Sequence, residues 1–163
     1  MKVAIFLGSI SDKSIMKNAI EVLNIFRITY KCYIISAHRL PDILSDTIIK
    51  IENEKTEVII AGAGLSAHLP GIISSKTIIP VIGVPIFNPS SINNFLGGID
   101  ALSSITQMPN GVPIAAVGIN NSYNAALLSV HMLSIKYIDL KKSLKKFRYY
   151  NRKKLKNKIE QNL

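Results

Sequence analysis

The amino-acid sequence predicts an α/β fold: a flavodoxin-like three-layer α/β/α sandwich with a central five-stranded parallel sheet and a C-terminal helical extension. Three observations carry this. Short apolar runs alternate with segments of helical period through residue 135, as strand–helix–strand units require. Several runs are apolar without alternation, the mark of strands covered on both faces. The length of 163 residues suits one domain, and 48% hydrophobic residues with 9 Gly and 7 Pro exclude disordered and fibrous classes.

Val3–Leu7 opens the chain as a buried strand. Asp12–Phe26 then places Ile15, Ala19, Val22, Leu23 and Phe26 at helical spacing. Tyr33–Ile35 is a short strand. Pro41 suits a first helical turn, and Ile43, Leu44, Thr47, Ile48 and Ile51 continue that helix. Val58–Ala61 is the third strand, followed by a short helix over Leu69–Ser75. Val81–Val84, bounded by Pro80 and Pro85, is the fourth strand. A polar loop over 87–98 leads to a helix over Ile99–Met108. Val112–Val117 is the fifth strand and Ser122–Ile135 the last helix of the sandwich. Strand order 2-1-3-4-5 is expected for this arrangement.

Net charge is +10, from 20 Lys+Arg against 10 Asp+Glu, which raises the question of nucleic acid. Its distribution answers it. Residues 141–163 hold ten basic groups and one acid, and residues 1–140 are close to neutral. A near-neutral domain, 1–138, therefore precedes a basic tail, 139–163, and nucleic acid is not the expected partner. In the tail Leu140, Leu144, Phe147, Leu155 and Ile159 recur near helical spacing, a thin apolar stripe suited to another subunit. The apolar run at the N-terminus is too short for a signal peptide and no run approaches a bilayer's span, so a cytoplasmic protein without membrane association is expected. A lone Cys32 makes no internal disulfide and is expected as a small core residue; His131, within a helix, is expected to be structural.

Three motifs follow the first three strands: Gly8-Ser9-Ile10-Ser11-Asp12, Ser36-Ala37-His38-Arg39, and Gly62-Ala63-Gly64-Leu65-Ser66-Ala67-His68-Leu69-Pro70-Gly71. In an open parallel sheet, ligands sit beyond the carboxyl ends of the strands where the order reverses, so the three converge on one crevice. Ser9, Ser11 and the helix start offer donors to an anion, although Ser and Asp are also ordinary helix caps. Arg39 suits a phosphate or carboxylate, and His38 an acid/base role. Gly62-x-Gly64-x-x-Ala67 relaxes the dinucleotide fingerprint, but no acid stands about 20 residues on. There is no P-loop lysine, and the His and Cys residues lack metal-ligand spacing, so no metal is expected.

Together these strings resemble the PurE family, the 5-(carboxyamino)imidazole ribonucleotide mutases of purine biosynthesis. Pro80-Val81-x-Gly83-Val84-Pro85, Gln107-Met108-Pro109, Gly111-Val112-Pro113 and Asn124-Ala125-Ala126-Leu127-Leu128 extend the resemblance over about residues 2–135. Arg39 after His38, and Ala67-His68-Leu69-Pro70-Gly71, look like the mutase class. The direct aminoimidazole ribonucleotide carboxylases tend to have Lys after the His. That carboxylase, and a carboxylase of a pyridine mononucleotide on the same scaffold, are the enzyme alternatives.

The resemblance implies an isomerase that moves a carboxylate by decarboxylation and recarboxylation, with a small ribonucleotide substrate, no cofactor and a homo-octamer. It implies His38 as general acid and base. Ser9, Ser11 and Arg39 would hold the phosphate and Asp12 the ribose. Gly62, Ala63 and Gly64 would admit the ring. His68 would bind the carboxylate or wall the pocket, and Ser36, Ala37 and Leu69 would line it. Three departures stand out: Leu65-Ser66 where the mutase class usually has Gly-Ala, a longer 87–97 loop, and a shorter, bulkier turn at Gly118–Tyr123.

Overall fold

The computed structural model describes residues 2–89 and 96–161. The chain runs β1 (Lys2–Leu7), a 3-10 turn (Ile10–Asp12), α1 (Lys13–Ile25), β2 (Thr29–Ile34), α2 (Pro41–Asn53), β3 (Val58–Gly64), α3 (His68–Ser74), β4 (Val81–Ile86), α4 (Ile99–Thr106), β5 (Ala115–Ala116), α5 (Ser122–Lys136) and α6 (Ile138–Glu160). Its five strands are parallel in the order β2-β1-β3-β4-β5. Most of the 87–97 loop lies outside the described residues.

Two cores, one on each face of the sheet, make the three layers. On one face Val3, Ile5 and Leu7 of β1 meet Met16, Ala19, Val22 and Leu23 of α1, and Ala125, Ala126 and Val130 of α5. On the other, Ala4 and Phe6 meet Leu44, Ile48 and Ile51 of α2, Ile73 of α3 and Ile105 of α4. Alternate residues of one strand thus serve opposite cores. That is why β1, β3 and β4 have continuous apolar sequences, with β3 and β4 buried almost throughout. Ser122, fully buried, donates to the Ile15 carbonyl at 2.5 Å and ties α5 to α1.

The edge strands depart most from expectation. β2 begins at Thr29, four residues earlier than its expected start at Tyr33. Lys31 interrupts its apolar pattern and pairs with Glu54 at 2.8 Å instead of entering a core. Cys32 is exposed rather than in the core, because β2 is an edge strand whose faces are only partly covered. β5 shrinks to the pair Ala115–Ala116, opposite Ile82 and Gly83. Pro113 lacks an N–H and limits pairing there. α4 ends at Thr106, before Met108, whose helical conformation the following Pro109 disfavours. His131 is structural as expected: its Nδ1 lies 2.7 Å from the Leu127 carbonyl in the preceding turn of α5.

α6 has two halves with different surroundings. Leu140 and Leu144 are buried in the α1/α5 core and Phe147 packs on it, with its ring 5.2 Å from that of Phe26. Leu155 and Ile159 continue the stripe but are 60% and 52% exposed. The helix therefore docks on its own chain through Phe147 and projects beyond it. At its root Glu57 accepts from Lys136 and Tyr137, each at 2.8 Å. Burial pushes the Glu57 carboxyl up, but those two donors outweigh it and hold the carboxyl below its ordinary value. Among the described residues no helix is long and apolar enough to cross a membrane.

Candidate active site

The carboxyl ends of β1 and β3 lie side by side, with Leu7 opposite Gly62, and the Gly8 N–H donates to the Gly62 carbonyl at 3.1 Å. Order reverses here, since β1 leads outward to β2 and β3 to β4. A cleft of about 450 Å³ opens at this point, within the range of small-molecule sites. Ser9, Ser11, Asp12, Ser36, Ala37, His38, Arg39, Ala63, Gly64, His68 and Leu69 all line it. The three motifs converge as their positions after strands require.

Gly62 is the exception. It is buried in β3, and a Cβ there would stand 2.6 Å from Met16 Sδ and 2.9 Å from Ile86 Cδ1. Its bareness serves packing beneath the cleft, not the wall of the cleft. Gly64 has a related constraint, because a Cβ would come within 2.9 Å of the Ile86 carbonyl oxygen. Gly8 differs from both. Its φ is not positive, and a Cβ would meet nothing nearer than 3.8 Å. No demand of the fold explains this glycine, and it leaves room on the cleft side.

The first loop is a capping box. Ser9 Oγ accepts from the Ser11 N–H at 3.4 Å, and Asp12 Oδ2 accepts from the Ser9 N–H at 3.0 Å. The ordinary cap reading of these residues holds, and the same side chains line the cleft. Asp12 is buried, and burial raises its carboxyl above the usual value. The Ser9 and Ser11 hydrogen bonds pull it back only in part.

His38 and His68 meet across the cleft. His38 Nε2 lies 2.7 Å from His68 Nδ1, with the rings edge to face and 4.9 Å between centroids. One hydrogen fits between the two facing nitrogens, so each ring sets the tautomer of the other. Arg39 Nε donates to Ser36 Oγ at 3.4 Å, and both residues line the cleft.

The loop after β3 holds His68 in place. Gly64-Leu65-Ser66-Ala67 closes as a turn through Ala67 N–H to the Gly64 carbonyl at 3.0 Å. Leu65 (φ 55°) and Ala67 (φ 36°) both occupy the left-handed region. Ser104 of α4 donates to the Ser66 carbonyl and braces this turn from outside. The turn at Gly118–Tyr123 braces the other rim. Asn120 accepts the Phe87 N–H and donates to the Phe87 carbonyl, both at 2.8 Å, which steadies the chain between Ile86 and Asn88.

Gly8, Leu65, Ser66, Ala67, Ile86 and Asn88 also line the cleft without having been proposed as site residues, although all but Ile86 and Asn88 fall within the three motifs. Ile86 and Asn88 lie at the end of β4, so the rule that ligands sit at strand carboxyl ends would have found them. Among the described residues no three His, Cys, Asp or Glu side chains cluster to hold a metal ion.

The sequence model of the family described as AIR carboxylase matches residues 2–154. A Pyrococcus abyssi protein named N5-carboxyaminoimidazole ribonucleotide mutase is 50% identical over 147 residues, covering 90% of this chain and 82% of that protein. The phosphoribosylaminoimidazole carboxylase of Candida glabrata is 43% identical over 145 residues, 89% of this chain but 25% of that longer protein. The crystal structure of Treponema denticola PurE superimposes with a TM-score of 0.83 at 27% identity, covering 96% of this chain and 94% of that one. The chain belongs to the AIR carboxylase family.

Proposed function

We propose that this protein is the isomerase of purine biosynthesis that converts 5-(carboxyamino)imidazole ribonucleotide into 4-carboxy-5-aminoimidazole ribonucleotide. The observation that carries the reading is the cleft where His38 meets His68 beside Arg39, opposite the Ser9–Asp12 loop, in a chain half identical to a named mutase over nearly its full length. Ser9, Ser11 and Arg39 hold the substrate phosphate, and Asp12 meets the ribose. Ala63 and Gly64 let the ring approach the backbone, while Ser36, Ala37 and Leu69 shape the wall.

His38 is the acid and the base. Its proton goes to the carbamate nitrogen and the nitrogen–carboxyl bond breaks. The products are carbon dioxide and neutral aminoimidazole ribonucleotide. The ring carbon attacks the carbon dioxide, and the ring proton returns to the imidazole. The sum is an isomerisation, so His38 ends as it began. In the free chain His68 occupies Nε2 of His38, and the substrate takes over that partner. His38→Asn is expected to lose about 10²–10⁴-fold in turnover with substrate binding retained. Intact turnover overturns the role.

The carboxylase name of the Candida relative favours one second reading, direct carboxylation of aminoimidazole ribonucleotide. Product formed from that compound and bicarbonate, at the rate seen with the carboxyamino substrate, would favour it.

His38 and His68 are exposed in the single chain. Holding carbon dioxide needs a water-poor site, so further copies close it, as an octamer by family resemblance, in the cytoplasm. The basic segment 139–163 stands apart from the chemistry. A single-chain mass by light scattering overturns the assembly.

A further inference from the structure

We infer that Asn120 is a positioning residue for the cleft: by holding the backbone of Phe87 it fixes the segment that follows β4 and delivers Asn88 to the substrate; this rests on the function proposed above. The need for it starts in the sheet. β5 is only Ala115–Ala116, opposite Ile82 and Gly83, while β4 runs on to Ile86. The end of β4 nearest the cleft therefore has no strand beside it on that side. Unpaired backbone groups in a buried segment are costly. The chain after β5 fills the place in steps. The Val117 N–H donates to the Gly83 carbonyl at 3.1 Å, and the Asn120 N–H to the Pro85 carbonyl at 2.8 Å. The Asn120 side chain then takes both backbone groups of Phe87, accepting from its N–H and donating to its carbonyl, each at 2.8 Å. One side-chain amide supplies what a continued β5 would supply.

Asn120 suits this place. Its φ is 58°, in the left-handed region, where asparagine is among the few tolerated residues other than glycine. Phe87 is also held by close packing, since a Cβ added at Gly98 would stand 2.9 Å from Phe87 Cβ. Ile86 and Asn88, on either side of Phe87 in the chain, both line the cleft. Ile86 is 1% exposed and offers a ligand almost no surface, whereas Asn88 is half-buried. Asn88 is thus the polar residue that the β4 end brings to the cleft, and its amide both donates and accepts. The other polar lining residues follow β1, β2 and β3. A substrate held across the strand ends meets Asn88 on the remaining side, and Asn120 decides where Asn88 stands.

The test is a double-mutant cycle read in KM. Wild type, Asn120→Gly, Asn88→Ala and the pair are compared for KM, kcat and thermal melting. Glycine accepts the left-handed backbone, so Asn120→Gly removes the side-chain amide without adding strain. Asn88→Ala is expected to raise KM about three- to tenfold, the scale of one hydrogen bond, with kcat changed less. Asn120→Gly is expected to raise KM by a similar factor. The pair is expected to show no more than the larger single effect, because both variants lose the same contact. Asn120→Asp keeps an acceptor for the Phe87 N–H and loses the donor to its carbonyl. It is expected to give an intermediate KM, and it takes the place of Asn120→Gly in the cycle if that variant does not fold. Wild type that fails to convert the carboxyamino substrate overturns the underlying reading. With wild-type turnover intact, an unchanged KM in either folded single variant, or losses that multiply in the pair, overturns the role of Asn120 alone. A lower melting temperature with wild-type KM would make Asn120 a support of the fold and not of the site.

Discussion

His38 Nε2 and His68 Nδ1 stand 2.7 Å apart although thirty residues of chain separate them. β1 lies between the strands that deliver them, so the contact bridges the two sides of the cleft. With one hydrogen between the facing nitrogens, the tautomers of His38 and His68 are coupled, one ring donating and the other accepting. His68 is thus expected to act on turnover through His38 as well as through the substrate. His68→Asn should lower kcat less than His38→Asn does, and the double variant should cost less than the product of the two single losses. Independent, multiplicative losses measured in a double-mutant cycle would show that the pair is not a unit.

The three glycines around the crevice should separate by experiment. Gly64→Ala drives a Cβ to 2.9 Å from the Ile86 carbonyl oxygen, against backbone that has no side chain to move aside. A loss of about 1–3 kcal/mol is expected in denaturant unfolding. Gly62→Ala meets the flexible Met16 side chain and should cost less than Gly64→Ala. Gly8→Ala has 3.8 Å of clearance and should leave stability within about 0.5 kcal/mol while raising KM, because its Cβ takes ligand space. A Gly8→Ala variant that melts early with an unchanged KM would contradict this assignment.

Asp12 sets a pH dependence of definite sign. Its carboxyl is raised in the folded chain, first by burial, so the folded state binds this proton more readily than the unfolded one. Its contribution to stability is present in full below the unfolded value, about 3.9, and is lost as pH rises through the raised folded value. Relative to Asp12→Asn, wild type should lose stability as pH climbs from about 4 toward neutrality. Glu57 runs the other way: its contribution is present above its unfolded value and is lost as pH falls through the lowered folded one. Urea unfolding at a series of pH values measures both, and a wild type that gains on Asp12→Asn with rising pH would reverse the assignment.

Truncation should find the functional division of α6. Removing residues 149–163 takes away exposed Tyr149, Tyr150, Leu155 and Ile159 and should leave the monomer's unfolding free energy nearly unchanged. Removing residues 139–163 also strips Leu140 and Leu144 from the core, each worth about 1.5–3 kcal/mol, and uncovers Phe26. Equal stability for the two truncations, by calorimetry, would mean that the first turns of α6 contribute nothing.

Leu65→Gly has a stability consequence that follows from the backbone. A left-handed non-glycine residue costs about 1–2 kcal/mol, and glycine's greater freedom when unfolded offsets about 0.5–1 of it. A melting temperature equal to or a few degrees above wild type is expected. A clear drop would show that contacts of the Leu65 side chain outweigh the backbone strain.

What was legible in the sequence was whatever depends on residue order and local pattern. Continuous apolar runs mark β1, β3 and β4 because both their faces are covered, and helical spacing marks α1 and α2. The cleft lining was legible because ligands gather at strand ends and the motifs follow strands, and every residue proposed for the site but Gly62 lines it. The expected order placed β2 and β5 at the edges, but how far they extend and how much of them is covered was not legible: Lys31 and Cys32 on β2 are exposed, which the local pattern does not encode. Tertiary structure alone decided that Gly62 packs on Met16, that Leu65 takes a left-handed turn, and that His38 Nε2 finds His68 Nδ1. Each of these turns on distances between segments far apart in sequence, which periodicity and composition do not encode and which the packed sheet brings within ångströms.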